Sequence, residues 1–163
     1  MRALMTSTRS TVLAATRPRI AAAICLLLSI LARGTARGSA PAGRYTASGG
    51  TVYDTKTRLT WQQTVVPTSY VFTDATNYCA SLGASLGGAG WRVPTIKELQ
   101  TIVDYAQTSG PWIDRTAFPS TPIHYFWSST AQVSTTAHWV LDFGIGDITL
   151  PGMSMSNNVR CVH

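Results

Sequence analysis

Cysteine is scarce in this chain, 3 in 163 residues, and no two form a Cys-x-x-Cys pair. That pattern argues against thioredoxin-type redox chemistry and against a thiolate zinc site. Acidic residues are also few, 7 in all, and the first of them is Asp54. The 3 histidines, His124, His138 and His163, show no i, i+4 pairing and have no cysteine ligand nearby. Asp142 and Asp147 flank a Gly-Ile-Gly turn, but an acidic EF-hand loop is missing. We therefore expect no metal and no cofactor. Ser128-Ser129 lies outside any Gly-x-Ser-x-Gly elbow and reads as a pair of strand hydroxyls, so no catalytic residue is expected. Internal repeats are absent, and so is an apolar run of the roughly 20 residues that span a bilayer.

What is present begins with export. Arg2, Arg9, Arg17 and Arg19 form a basic flank, Ile20–Leu31 is a 12-residue run that is apolar apart from Ser29, and small residues follow around Ala36. This is the layout of a secretory signal over residues 1–36, with no transmembrane anchor left after cleavage. We expect an exported protein of the periplasm, the cell surface or the medium. Cleavage changes the charge account. Five of the 13 basic residues precede residue 37 and none of the 7 acidic ones does, leaving eight against seven, or about +1. The overall +6 then belongs to the targeting segment and gives no reason to expect a nucleic-acid partner. Cys25 leaves with the signal. Cys79 and Cys161 remain, an even number in an oxidising compartment, and one disulfide is the natural inference.

Residues 37–48 are small, polar and glycine-containing and read as a flexible lead-in to a domain over 49–163. Val52, Leu59 and Trp61 around Asp54-Thr55-Lys56-Thr57 predict a β-hairpin. Thr73 before Asp74 predicts a helix N-cap, and Ala75, Tyr78, Cys79 and Leu82 fall on one face of that helix. Thr95-Ile96-Lys97-Glu98 is a capping box for a second helix, with Ile96, Leu99, Ile102, Val103 and Ala106 as its buried stripe. A loop over 107–122 follows. Strands are predicted at Tyr125–Thr130, at His138–Phe143 with Trp139, Leu141 and Phe143 alternating against Val140 and Asp142, at Asp147–Leu150, and at Asn158–Val162. The order reads as α+β, with helices packed on an antiparallel sheet.

Taken in order, GTVYDTKTRLTWQQ, NYCASL, WRVPTIKELQTIVDY, IDRTAFP, FWSST, HWVLDF and NNVRCV resemble the Lcl C-terminal domain family, named for the end domain of a Legionella collagen-like adhesin. The resemblance covers about residues 49–163. WRVPTIKEL and VRCV are also distantly similar to signatures of formylglycine-generating-enzyme-like domains. Both groups look like variations on a C-type-lectin-like fold. That fold implies two helices on a small antiparallel or mixed sheet, a long loop region, and a disulfide from the first helix to the last strand, where Cys79 and Cys161 stand. The resemblance implies a bacterial surface adhesion domain, with sulfated glycans proposed as ligands of some members. This chain departs from that picture, because its basic residues are scattered singly and no Lys/Arg cluster exists to hold a polyanion. The Glu-Pro-Asn loop of calcium-dependent lectins is missing. Formylglycine-type oxidation needs an active cysteine pair, and both remaining cysteines are expected in the disulfide.

Trp61, Trp91, Trp127 and Trp139 read as core. Trp112 is different: it sits in the long loop beside Pro111, near Arg115, His124 and Tyr125. An aromatic with polar donors on a loop suits a glycan or protein ligand, and these four are the candidate binding residues. The plainer reading is a loop pinned to the core by Trp112 and Phe118. The function expected is a non-catalytic binding or adhesion module for a carbohydrate or protein ligand. The alternative is a structural domain of an envelope assembly without a small ligand, and a residual formylglycine-type enzyme comes third.

Overall fold

Two glycines, Gly49 and Gly50, with φ of 57° and 82°, close the first hairpin. The φ > 0 pair gives a turn whose twist matches that of the flanking strands. The structure, a computed structural model, describes residues 40–150 and 155–163; the signal segment lies outside them. Strands β1 (Tyr45–Ser48), β2 (Thr51–Asp54) and β3 (Leu59–Gln62) form an antiparallel sheet in the order β1-β2-β3. Val52 pairs with Trp61 across β2 and β3, and both are fully buried. The predicted hairpin is therefore present. Strand β1 falls inside the stretch read as lead-in. Its entry is fixed by an ion pair from Arg44 to the buried Asp54 at 2.7 Å, with Arg44 also donating to the Thr101 carbonyl at 2.6 Å.

Helix α1 (Phe72–Ser81) starts earlier than the Thr73 cap predicts. Val71 is the N-cap and no side chain caps it. Tertiary contacts set this start: Tyr70 exchanges two backbone hydrogen bonds with Asn157, and Phe72 stacks on His138 at 3.5 Å and meets Trp127 edge-on at 5.7 Å. Ala75 and Cys79 face the core as expected. A single helical turn, α2 (Gly83–Leu86), follows. Helix α3 (Ile96–Thr101) has the predicted capping box, with both reciprocal hydrogen bonds between Thr95 and Glu98. Its stripe ends sooner than read. Ile96, Leu99 and Ile102 are buried, whereas Val103 has left the helix to pair with Ile113 of the long loop.

The second sheet is antiparallel in the order β4 (Tyr125–Ala131), β5 (His138–Asp142), β6 (Asp147–Thr149). The single small sheet expected is thus two three-stranded ones, and the class is α+β. The alternation read into β5 holds, with Trp139, Leu141 and Phe143 on one side and Val140 on the other, but the second side is covered as well. Val140 packs with Ala75, Cys79 and Trp127, and Leu141 packs with Leu99, Phe126 and Phe143. Two hydrophobic clusters lie on opposite sides of β5, so consecutive residues are both buried.

The last segment is not the strand predicted at Asn158–Val162. It runs between the sheets, making isolated bridges from Val162 to Trp61 and Arg92 and from Asn158 to Phe126. Its partner changes every residue or two, so no ladder forms, yet Val159, Arg160, Cys161 and Val162 are all buried. The Cys79–Cys161 disulfide is formed, with Cα atoms 5.4 Å apart and 82 positions of sequence between them.

Candidate functional site

The turn joining β5 to β6, Phe143-Gly144-Ile145-Gly146, carries Ile145 and meets Ile123 and Tyr105, all exposed large hydrophobic residues. Asp142 shapes it: its Oδ1 accepts from the Gly144 amide at 2.6 Å and its carbonyl accepts from the Gly146 amide at 2.8 Å. Gly146 has φ +74°, and a Cβ there would lie 2.9 Å from the Tyr105 ring. A Cβ on Gly144 would lie 2.8 Å from the Ile123 methyl. Glycine is therefore required so that neighbouring side chains can lie directly on the backbone.

Tyr105 lies flat against this turn. Its hydroxyl donates to the Gly146 carbonyl at 2.7 Å, while the residue is 64% exposed. A ring held at its polar end with its apolar face to water has little rotamer entropy left to lose on binding. Ile123 (65%), whose methyl lies against Gly144, and Ile145 (64%), between the two glycines, are as exposed. Trp112, half-buried, completes the face with its ring centroid 5.8 Å from that of Tyr105. Backbone bonds hold it: its amide donates to the Phe143 carbonyl at 2.7 Å, and its carbonyl accepts from Asp104 at 3.0 Å. An open groove of about 200 Å³ leads from Tyr105 and Ala106 past Asp104 to Pro41 and Tyr45.

Of the four residues singled out from sequence, the structure brings two to this turn. Trp112 and His124 both bond the Phe143 backbone, the latter through its carbonyl at 3.2 Å, and the His124 side chain is exposed. Arg115, itself exposed, folds back on its own loop as a strut, donating to the carbonyl of Ser109, to its hydroxyl at 3.3 Å and to the Gly110 carbonyl at 2.9 Å. Tyr125 opens β4 and packs against the cluster around Trp127, with its ring 5.7 Å from His124. The loop itself is pinned by Ile113 and Phe118, both fully buried.

Sequence reasoning missed Tyr105, Ile123 and Ile145. The helical stripe drew attention past Tyr105. Ile145 left a readable signal, because an isoleucine between two glycines in a strand-connecting turn has no core to enter.

Two of the groups weighed for chemistry are engaged within the fold. The Ser128 hydroxyl donates to the Trp139 carbonyl at 2.6 Å, and Cys79 and Cys161 are bonded to each other. Among the described residues no group of three His, Cys, Asp or Glu stands together to hold a metal. No helix among them is long and apolar enough to cross a membrane. The chain belongs to the Lcl C-terminal domain family, whose model matches residues 50–163, a stretch that contains both sheets except β1 and the whole Tyr105 face. Among curated proteins no sequence matches this chain.

Proposed function

We propose that this protein is an exported, non-catalytic binding module that engages a carbohydrate or protein ligand through the face built by Tyr105, Trp112, Ile123 and Ile145, in the role of a surface adhesion domain. The observation that carries the reading is the pinned, exposed Tyr105: its hydroxyl is satisfied by Gly146, so the ring's exposure serves no internal contact. Exposed apolar groups in such a cluster are the usual mark of an interaction site. The buried disulfide supports export, since such bonds persist in oxidising compartments. The occupied hydroxyl of Ser128 and the bonded cysteines support a role in binding over catalysis. The test is a binding screen of the exported protein on arrayed glycans and surface proteins, repeated with Tyr105→Ala and with Ile123→Ser. Loss of a ligand by both variants at unchanged melting temperature is the expected result. A stable protein partner retained by both variants would favour the structural-assembly reading.

A further inference from the structure

The stretch of sequence that supplies this face is one-sided in charge. Between Asp104 and Leu150 the chain carries four carboxylates, Asp104, Asp114, Asp142 and Asp147, and one Lys/Arg, Arg115. Between Arg44 and Glu98 the balance reverses, with five bases to three acids. The ion pairs among the described residues, Arg44–Asp54 and Arg92–Glu98, both lie in that first half. Among the described residues none of the four later aspartates has a cationic side chain in ion-pair range, and Arg115 aims its guanidinium at the Ser109 and Gly110 carbonyls. Two of the four belong to the turn itself. Asp142 closes it through Gly144 with one carboxylate oxygen. Asp147, exposed, follows the glycine whose carbonyl holds Tyr105.

We infer that the partner of this face is a basic protein segment, a lysine- or arginine-bearing stretch of polypeptide. The inference rests on the reading of the face as a binding surface and adds the chemistry of what binds. A cationic head over the exposed Tyr105 ring gains the attraction of the ring quadrupole. The same head is attracted by Asp142 and Asp147, on either side of the turn, which have no ion-pair partner among the described residues. The aliphatic stem of a lysine or arginine lies on Ile123 and Ile145, as such stems do on apolar surface. A sulfated or otherwise anionic glycan meets the reverse: unpaired carboxylates and no free cation. A neutral glycan finds the aromatic ring but makes no use of the charge.

The test titrates four probes into the exported protein with its disulfide formed: a Lys-Gly repeat peptide, the same peptide acetylated on every lysine, a neutral β-glucan oligosaccharide, and heparin. The Lys-Gly peptide is expected to bind, and acetylation to weaken it by about tenfold or more. Tyr105→Ala and the pair Asp142→Asn/Asp147→Asn are each expected to weaken it by about tenfold. The asparagines keep the turn's acceptor, so folding is preserved. Binding should also fall as salt is raised through the range where the Debye length shrinks from about 10 to 3 Å. Equal binding of the acetylated peptide, or no peptide binding up to about 1 mM, overturns the inference. If the oligosaccharide or heparin binds instead and Tyr105→Ala abolishes it, the cationic partner is wrong and the face remains a binding surface. If a probe binds and Tyr105→Ala leaves its binding unchanged, the reading of the face falls as well.

Discussion

Arg160 shows how much of this fold depends on single side chains. Its guanidinium is fully buried with no carboxylate partner. It donates to the Gln62 carbonyl at 2.7 Å, the Gln63 carbonyl at 2.5 Å and the Thr121 hydroxyl at 2.7 Å, and it lies 4.8 Å over the Phe118 ring. Burial pushes its pKa down to about 9, which leaves it charged at neutral pH. One residue thus ties β3, the long loop and the last segment together. Arg160→Ala strands three acceptors and opens a cavity, and it is expected to cost about 3–5 kcal/mol in urea unfolding. A loss below about 1 kcal/mol would contradict this account of the residue. Glu98 gives a pH test. The Arg92 guanidinium and the Thr95 cap hold its carboxyl down to about 2, against an ordinary 4.5. A depressed acid contributes stability that is complete above the unfolded value and lost as pH falls toward the folded one. Wild type should therefore lose stability between about pH 4.5 and pH 2, and Glu98→Gln should show a flatter profile across that window in urea melts. The Thr95–Glu98 box was legible because it is local chemistry at fixed spacing. Arg92 reaching Glu98 and Arg160 reaching Gln62 were not, since both depend on the path of the chain between them.

The elements divide along the same line. The β2–β3 hairpin was readable because its partners are neighbours in sequence and its turn residues are specific. Helix α3 has 6 residues, too short to persist alone, so its cap and its packing must supply its stability. Thr95→Ala is expected to cost about 1 kcal/mol, measured as a shift of the urea midpoint. In strand β5 the alternation sorted the faces and missed only that both are covered, and the last segment was read as a strand although its pairings with Trp61, Arg92 and Phe126 are isolated bridges. Periodicity reports burial on one side of an element and has nothing to say when both sides are covered. The β5–β6 turn carries the second expectation at this scale. Gly146→Ala forces a Cβ into the Tyr105 ring at a positive φ, so it should lower stability by about 1–2 kcal/mol and displace Tyr105, read as a change in near-ultraviolet tyrosine dichroism. An unchanged signal would show that the ring does not depend on the turn.

At the scale of the molecule, a chain with two small sheets and short helices is held by what crosses between them. The Cys79–Cys161 bond joins α1 to the segment between the sheets across 82 positions. Replacing both cysteines by serine is expected to cost about 4–5 kcal/mol on the loop-entropy account. The overall class and the disulfide were legible in the sequence, from helix caps, strand runs and the count of cysteines left after the signal. The candidate site was legible by half. Trp112 and His124 do meet at one turn, but exposure is a property of the assembled surface, and Tyr105, Ile123 and Ile145 became a face only when three separate stretches came together on two glycines. The central claim is that this face binds. The most direct measurement compares the exported wild-type protein with Tyr105→Ala for binding to arrayed glycans and basic peptides, with the melting temperature of each recorded. The expected result is at least one ligand whose affinity falls by about tenfold or more in the variant while the fold stays intact. A ligand bound equally well by both proteins would contradict the claim.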